Sequence, residues 1–208
     1  MPKLLIVIAS TRPGRVGLPI GNWAAEGARA HGGFDVEVAD LADLALPFLD
    51  EPGHPRMGRY EHDHTKAWSA TVDSADAFLF VTPEYNYGPP ASLLNAISYL
   101  FWEWAYKPVG FVSYGGISAG LRGVQVLKQI VTTVKMMPLS DGPSIPFVGS
   151  TIHDGEFAPS PIVAETLPWH LDEILRWTNA LEPLRQQVPL LRLEMPPGAP
   201  PRPPVPAA

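Results

Sequence analysis

Three short segments hold most of the residues able to do chemistry. The first is ASTRPGRVGLP (Ala9–Pro19), with hydroxyls at Ser10 and Thr11, guanidinium groups at Arg12 and Arg15, and glycines at 14 and 17. Hydroxyls and guanidiniums donate to an anion, glycines let backbone N–H groups turn toward one point, and a helix start adds its positive end. A phosphate suits such a cradle. The glycines at 14, 17 and 21 lack the dinucleotide-binding spacing G-x-G-x-x-G, and no Lys-Ser/Thr pair follows as in a P-loop. The plain alternative is a strand-to-helix turn carrying two surface arginines.

The second segment, TPEYNYGPP (Thr82–Pro90), ends an apolar run in a turn rich in Glu, Tyr and Asn. Such a turn can present N–H groups to the edge of a flat heterocycle while tyrosine rings wall its face. The third, SYGGISAG (Ser113–Gly120), brings Gly115 and Gly116, where no Cβ would hold a ligand off. Alone, either is an ordinary turn. Beside a phosphate loop on a neighbouring strand, they outline a mononucleotide with a large planar ring.

The elements that must position these loops alternate between strand and helix. KLLIVIA (Lys3–Ala9) reads as a buried strand, followed by a helix near Pro19–Ala30 that stops at Gly32-Gly33. FDVEVADL reads as a second strand, and Ala42–Arg59, with Pro47, Pro52 and Pro55, as surface loop. The helix HTKAWSATVDSA precedes the strand AFLFVT (Ala77–Thr82), and an apolar helix is expected over Ser92–Trp104. PVGFVSY (Pro108–Tyr114) is another strand; Leu121, Val124, Leu127, Val131 and Val134 mark one face of the next helix. MMPLSDGPSIPFV suits only an irregular edge strand because of Pro138, Pro143 and Pro146. A last helix begins at SPIVAETL, with Pro168 as a kink or restart. This alternation predicts an α/β fold, a parallel sheet with helices on both faces and the three loops at its carboxyl end.

Composition narrows the function classes. The chain has 208 residues, no cysteine and a net charge of −6. Disulfides, thiolate metal ligands, iron–sulfur clusters and a cysteine nucleophile are excluded. No basic stripe suggests nucleic acid. MPKLLIVIAS is too short an apolar run for a membrane span or a signal peptide. Two units are expected: a folded domain over 1–188 and a proline-rich tail over 189–208, which holds eight of the 25 prolines.

Taken together and in order, ASTRPGR, TPEYNYGPPASLLNAI and KPVGFVSYGG resemble the NAD(P)H-dependent FMN reductase family, the flavodoxin-like group that includes quinone and azo-dye reductases. The resemblance runs from about Lys3 to Arg185. It implies a flavodoxin-like three-layer sandwich with a five-stranded parallel sheet in order 2-1-3-4-5. It further implies that Ser10, Arg12 and Arg15, with the backbone at Val16, Gly17 and Leu18, hold the FMN phosphate. Pro83, Glu84, Tyr85, Asn86 and Tyr87 would line the isoalloxazine, with a backbone N–H near N5; Ser113, Tyr114, Gly115 and Gly116 would meet its pyrimidine edge. Ala9, Ala91 and Ala119 stand where the family commonly has glycine, and Leu94 and Ser98 where it often has lysine and aspartate.

The activity so implied is hydride transfer from NADPH or NADH to flavin N5 and on to a small-molecule acceptor: a quinone, an azo or nitro compound, or free flavin. The flavin carries the chemistry, so no catalytic side chain is assigned. Backbone donors at Gly115 and Gly116 would stabilise charge on the reduced ring. The alternatives are a flavodoxin-like electron carrier that needs a protein reductase, and a pathway-specific flavin reductase serving a monooxygenase. A cytoplasmic homodimer, or a tetramer, is expected through the helix 92–104, whose apolar residues cover more than one side. Coverage by its own chain, for example by Leu190, Leu191 and Leu193, is the competing explanation. No metal site is expected: His62, Asp63 and His64 read as a solvated helix start.

Overall fold

The computed structural model describes residues 1–189. Its main sheet is parallel, with strands β1 (Lys3–Ile8), β2 (Asp35–Asp40), β3 (Ala77–Pro83), β4 (Pro108–Tyr114) and β5 (Met137–Pro138) in the order β2-β1-β3-β4-β5. This is the expected flavodoxin-like arrangement. The fifth position is split, because β6 (Ser144–Ile145) also pairs with β4, beside Ser113 and Tyr114. The prolines at 138 and 143 explain the break, since neither can donate to a continuous ladder.

Alternating side chains of the central strands divide the core. Leu5, Val7, Phe78, Phe80, Val109 and Phe111 pack toward α3 (Asp63–Ser74), α4 (Ala91–Ser98) and α5 (Leu121–Thr133). Leu4, Ile6, Leu79, Val81 and Val112 pack toward α1 (Gly17–His31) and α6 (Pro161–Arg185). Three layers result. Helix α6 passes Pro168 without ending. Proline removes one intrahelical bond there, but Val163, Leu167, Leu171 and Ile174 anchor the helix on both sides of it. A short α2 (Leu41–Leu44) and a hairpin, β7 (Ile152–His153) with β8 (Glu156–Phe157), had no signal in the sequence.

The expected helix over 92–104 needs correction. Helix α4 stops at Ser98, and a separate 3₁₀ turn covers Trp102–Trp104. Its apolar surplus is not left over for a second subunit: Leu93, Ile97, Leu100, Phe101, Trp102 and Trp104 are all buried within the chain. Trp104 packs edge-on against Phe78 and Trp68, and Leu46 and Tyr60 cover the same cluster. Even Glu103 turns inward, accepting from Tyr60 Oη at 3.0 Å and Ser69 Oγ at 2.8 Å. The chain's own 42–60 segment supplies the cover; Leu190, Leu191 and Leu193 lie outside the described residues. His62 and His64 help pin that segment, placing their Nε2 atoms 3.2 Å from the Asp50 carbonyl oxygen and 3.0 Å from Asp50 Oδ1. No helix among the described residues is long and apolar enough to cross a membrane.

Candidate functional site

At the carboxyl end of the sheet, the three loops meet around a cavity of about 230 Å³ lined by Ser10, Arg12, Arg15, Val16, Pro83, Glu84, Tyr85, Tyr114 and Gly115. Gly14 and Val148 complete the lining. A larger groove of about 530 Å³ beside Thr11 is lined by Leu41, Pro47, Phe48 and Asn95 among others, with no ionisable side chain. It holds none of the expected site residues, so chemistry favours the smaller cavity.

The first loop begins with a tight turn. Arg12-Pro13-Gly14-Arg15 closes with Arg15 N–H donating to the Arg12 carbonyl at 3.1 Å, and Gly14 sits at φ 71°. Proline presets the second turn position, and glycine accepts the left-handed third. The chain then enters α1, whose N-cap Val16 offers no side-chain cap. The first N–H groups of α1 are therefore left for another acceptor. Arg12 is exposed and has no anionic partner among the described residues. Arg15 does: its guanidinium forks onto Asp40, with Nη1–Oδ1 at 2.6 Å and Nη2–Oδ2 at 2.5 Å.

The second loop is a two-residue hairpin turn. Tyr85 and Gly88 exchange N–H···O bonds of 2.8 and 2.9 Å, with Asn86 at φ 51° and Tyr87 at φ 67°. Paired left-handed residues define this turn; asparagine tolerates the conformation, whereas an aromatic residue there is strained by roughly 1 kcal/mol. Within the turn the Asn86 and Tyr87 N–H groups take no backbone partner, and both residues are exposed next to Tyr85, which lines the cavity. Tyr85 instead reaches across to the first loop, its hydroxyl 2.8 Å from Ser10 Oγ. Glu84 is a brace: its carboxylate accepts from the Arg122 backbone N–H at 3.1 Å and pairs with the Arg122 side chain at 3.4 Å. Arg122, missed in the sequence, also lies 4.5 Å over the Tyr87 ring.

The third loop differs from expectation in which donors are free. Gly115 N–H is committed to the Ile145 carbonyl at 3.1 Å, while Gly116 is exposed with its N–H unclaimed. Ser113 is buried behind the cavity, its N–H bonded to the Pro143 carbonyl and its Oγ to the Ala119 carbonyl. Ala119, where the family commonly has glycine, adopts φ 54°. Leu18 also lies apart, lining a different cleft with Glu37 and Val38. Of the expected residues, Ser113 is thus not brought to the cavity by its side chain, while Leu18, expected there through its backbone, turns toward the other cleft. Gly17 lies buried against Tyr114, and Asn86, Tyr87 and Gly116 are exposed beside the lining residues Tyr85 and Gly115 without lining the cavity themselves.

The cavity contains an unmet demand. Tyr114 Oη is buried without a hydrogen-bond partner. Burial, reinforced by the nearby Tyr85 hydroxyl, pushes this phenol well above its usual range. The Ser10 hydroxyl, which approaches it but whose well-formed bond goes to Tyr85, and the Arg15 charge pull the other way. A neutral hydroxyl remains for a ligand. It sits directly against Gly17, where any Cβ would overlap it. We expect Gly17→Ala to destabilise the protein by about 1–3 kcal/mol through overpacking. Adding Tyr114→Phe should restore most of the loss, as urea unfolding of the two variants will show.

Free helix-start N–H groups, one unpaired guanidinium, exposed turn N–H groups and an orphaned phenol suit a ligand with an anionic end and a flat polar head. A sequence model of the NADPH-dependent FMN reductase family matches residues 2–148. An NAD(P)H-dependent FMN reductase of Schizosaccharomyces pombe is 40% identical over 161 residues, covering 76% of this chain and 80% of that protein. The NAD(P)H-dependent FMN reductase NtnL of a Nectria species is 29% identical over 198 residues, covering 90% and 98%. Among solved structures, FerB, a flavoenzyme NAD(P)H:(acceptor) oxidoreductase of Paracoccus denitrificans, superposes with a TM-score of 0.69 at 17% identity, covering 86% and 98%.

Proposed function

Because the chain belongs to the NADPH-dependent FMN reductase family, we propose that it binds FMN in the cavity described above and acts as an NAD(P)H-dependent oxidoreductase on flat acceptors: quinones, azo or nitro compounds, or free flavin. One observation carries the assignment of FMN to this cavity. The phosphate-type loop and the aromatic turn are joined at Ser10 and Tyr85, 2.8 Å apart, beside the partnerless Tyr114 hydroxyl. The residues present fit FMN. Arg12, the Ser10 hydroxyl and the start of α1 would take the phosphate; Tyr85, the rim N–H groups of Asn86 and Tyr87, and Gly116 would take the ring.

Bound flavin supplies the hydride chemistry, accepting from a nicotinamide and passing to the acceptor. The chain's own part is orientation. The strained turn at Tyr87 fixes two N–H directions, and Glu84 and Arg122 tie that turn to α5 so that it does not relax. Preorganised donors of this kind stabilise charge without rearranging as it develops. No side chain is asked to move a proton. A homodimer remains part of this reading on family grounds, with the buried α4 residues no longer an argument for it; sedimentation at several concentrations checks it.

The test is spectroscopic. Purified protein incubated with FMN and desalted should retain a flavin absorbance spectrum, which NADPH or NADH alone should bleach under anaerobic conditions. A quinone should then restore it. Protein that stays colourless removes the cofactor, and protein that holds FMN but stays oxidised with both nucleotides is an electron carrier.

A further inference from the structure

We propose that Arg15 is a strut of the phosphate loop and not a phosphate ligand, and that Asp40 is thereby a positioning residue of the site. The inference rests on the FMN reading. Arg15 spends its fork on Asp40, at 2.6 and 2.5 Å, and the same Nη1 donates to the Ser10 carbonyl at 2.8 Å. Asp40 in turn accepts the Ala42 N–H at 3.0 Å, capping α2. The sheet makes this pairing possible. Ile8 and Asp40 are register partners, so the loop after β1 and the end of β2 lie side by side.

Burial argues that the pair stays intact when an anion arrives. The side chains of Arg15 and Asp40 are 14% and 9% exposed. Swinging the guanidinium onto a phosphate would leave a nearly buried carboxylate with one backbone N–H as its remaining partner, and an uncompensated buried charge is strongly unfavourable. The fork already saturates the guanidinium, with both Nη atoms on Asp40 and Nη1 also on the Ser10 carbonyl, so a phosphate would gain the side chain only by breaking bonds of equal quality. With Arg15 neutralised, Arg12 and the free N–H groups at the start of α1 face the phosphate. The strut fixes the Ser10 peptide and the turn from Arg12 to Arg15, which set the direction in which those donors point.

A ligand role and a strut role predict opposite signs for one substitution. If Arg15 were a phosphate ligand held back by Asp40, Asp40→Asn would release it and tighten FMN binding. As a strut partner, Asp40→Asn should weaken FMN binding about tenfold, despite raising the loop's net positive charge. Riboflavin, which lacks the phosphate, should bind as it does to the wild type. The measurement is quenching of flavin fluorescence, titrated with FMN and with riboflavin, on variants whose circular dichroism matches the wild type. Arg15→Lys is the second variant; it keeps the charge, cannot fork, and should show the same selective loss. Tighter or unchanged FMN binding overturns the strut, as does an equal loss for both flavins, which would mark general destabilisation. A wild type that binds neither flavin instead overturns the cofactor reading beneath it.

Discussion

Arg12→Ala is expected to weaken FMN binding about 10- to 100-fold and to leave riboflavin binding unchanged. Hydrogen bonds to charged groups contribute about 1.5–3 kcal/mol, and each 1.4 kcal/mol is a factor of ten in affinity. Among the residues lining the cavity, Arg12 is the cation not already matched with a carboxylate. On the proposed reading, a phosphate carrying close to two negative charges would find its compensation there and at the start of α1. The same substitution should flatten the salt dependence of FMN binding, because it removes the exposed charge on which screening acts. Calorimetric titration at low and high salt with both flavins measures both effects. Loss of riboflavin binding to the same degree would show that Arg12 supports the ring or the fold, and would remove the phosphate from this loop.

The parts of the molecule that were legible in the sequence are those governed by local rules. The central strands were visible because burial on both faces makes them continuous apolar runs, as in LLIVI and AFLFV. Ser10, Arg12, Tyr85 and Tyr114 come together at one cavity because loops after parallel strands share an end of the sheet. What was not legible depends on contacts between distant segments. Asp40 belongs to none of the sequence motifs; only the register of β2 on β1 brings it to Arg15. That proximity had a faint signal, since Asp40 ends and Arg15 follows strands that a flavodoxin-like order makes neighbours. Arg122 had none. The apolar character of the 92–104 segment was read correctly. Of the two explanations offered for it, burial within the chain is the one the packing supports, through a different segment from the one named. A loop with three prolines gave no hint that it would fold over this apolar cluster and take the Trp102 indole N–H on its Arg56 carbonyl.

Acidification should reveal a second device of long-range origin, at His170. The split of the outer strand leaves Phe111 N–H without a partner strand, and His170 Nε2 accepts it at 3.1 Å from helix α6. Gly110 makes the room, since a Cβ there would run into the imidazole, and Gly142 lets the chain pass close to the Phe111 carbonyl beside it. An accepting nitrogen must be unprotonated, and burial holds this imidazole down at about 4; Asp141 opposes the shift and Lys128 adds to it. The unfolded chain takes up a proton at about 6.5, well before the folded one does. Stability from this group is therefore complete above pH 6.5 and is lost progressively as pH falls toward 4. At about 1.4 kcal/mol per pH unit of separation, the full loss is about 3 kcal/mol. His170→Gln can accept the same N–H but cannot titrate. Its urea-unfolding free energy should fall below the wild type's at pH 7 by about 1–2 kcal/mol from imperfect packing. The gap should close or reverse by pH 4.5, because only the wild type meets the proton demand of its unfolded state. A difference between the two proteins that stays constant from pH 7 to 4.5 would mean that His170 does not fill the break in the sheet as a neutral acceptor.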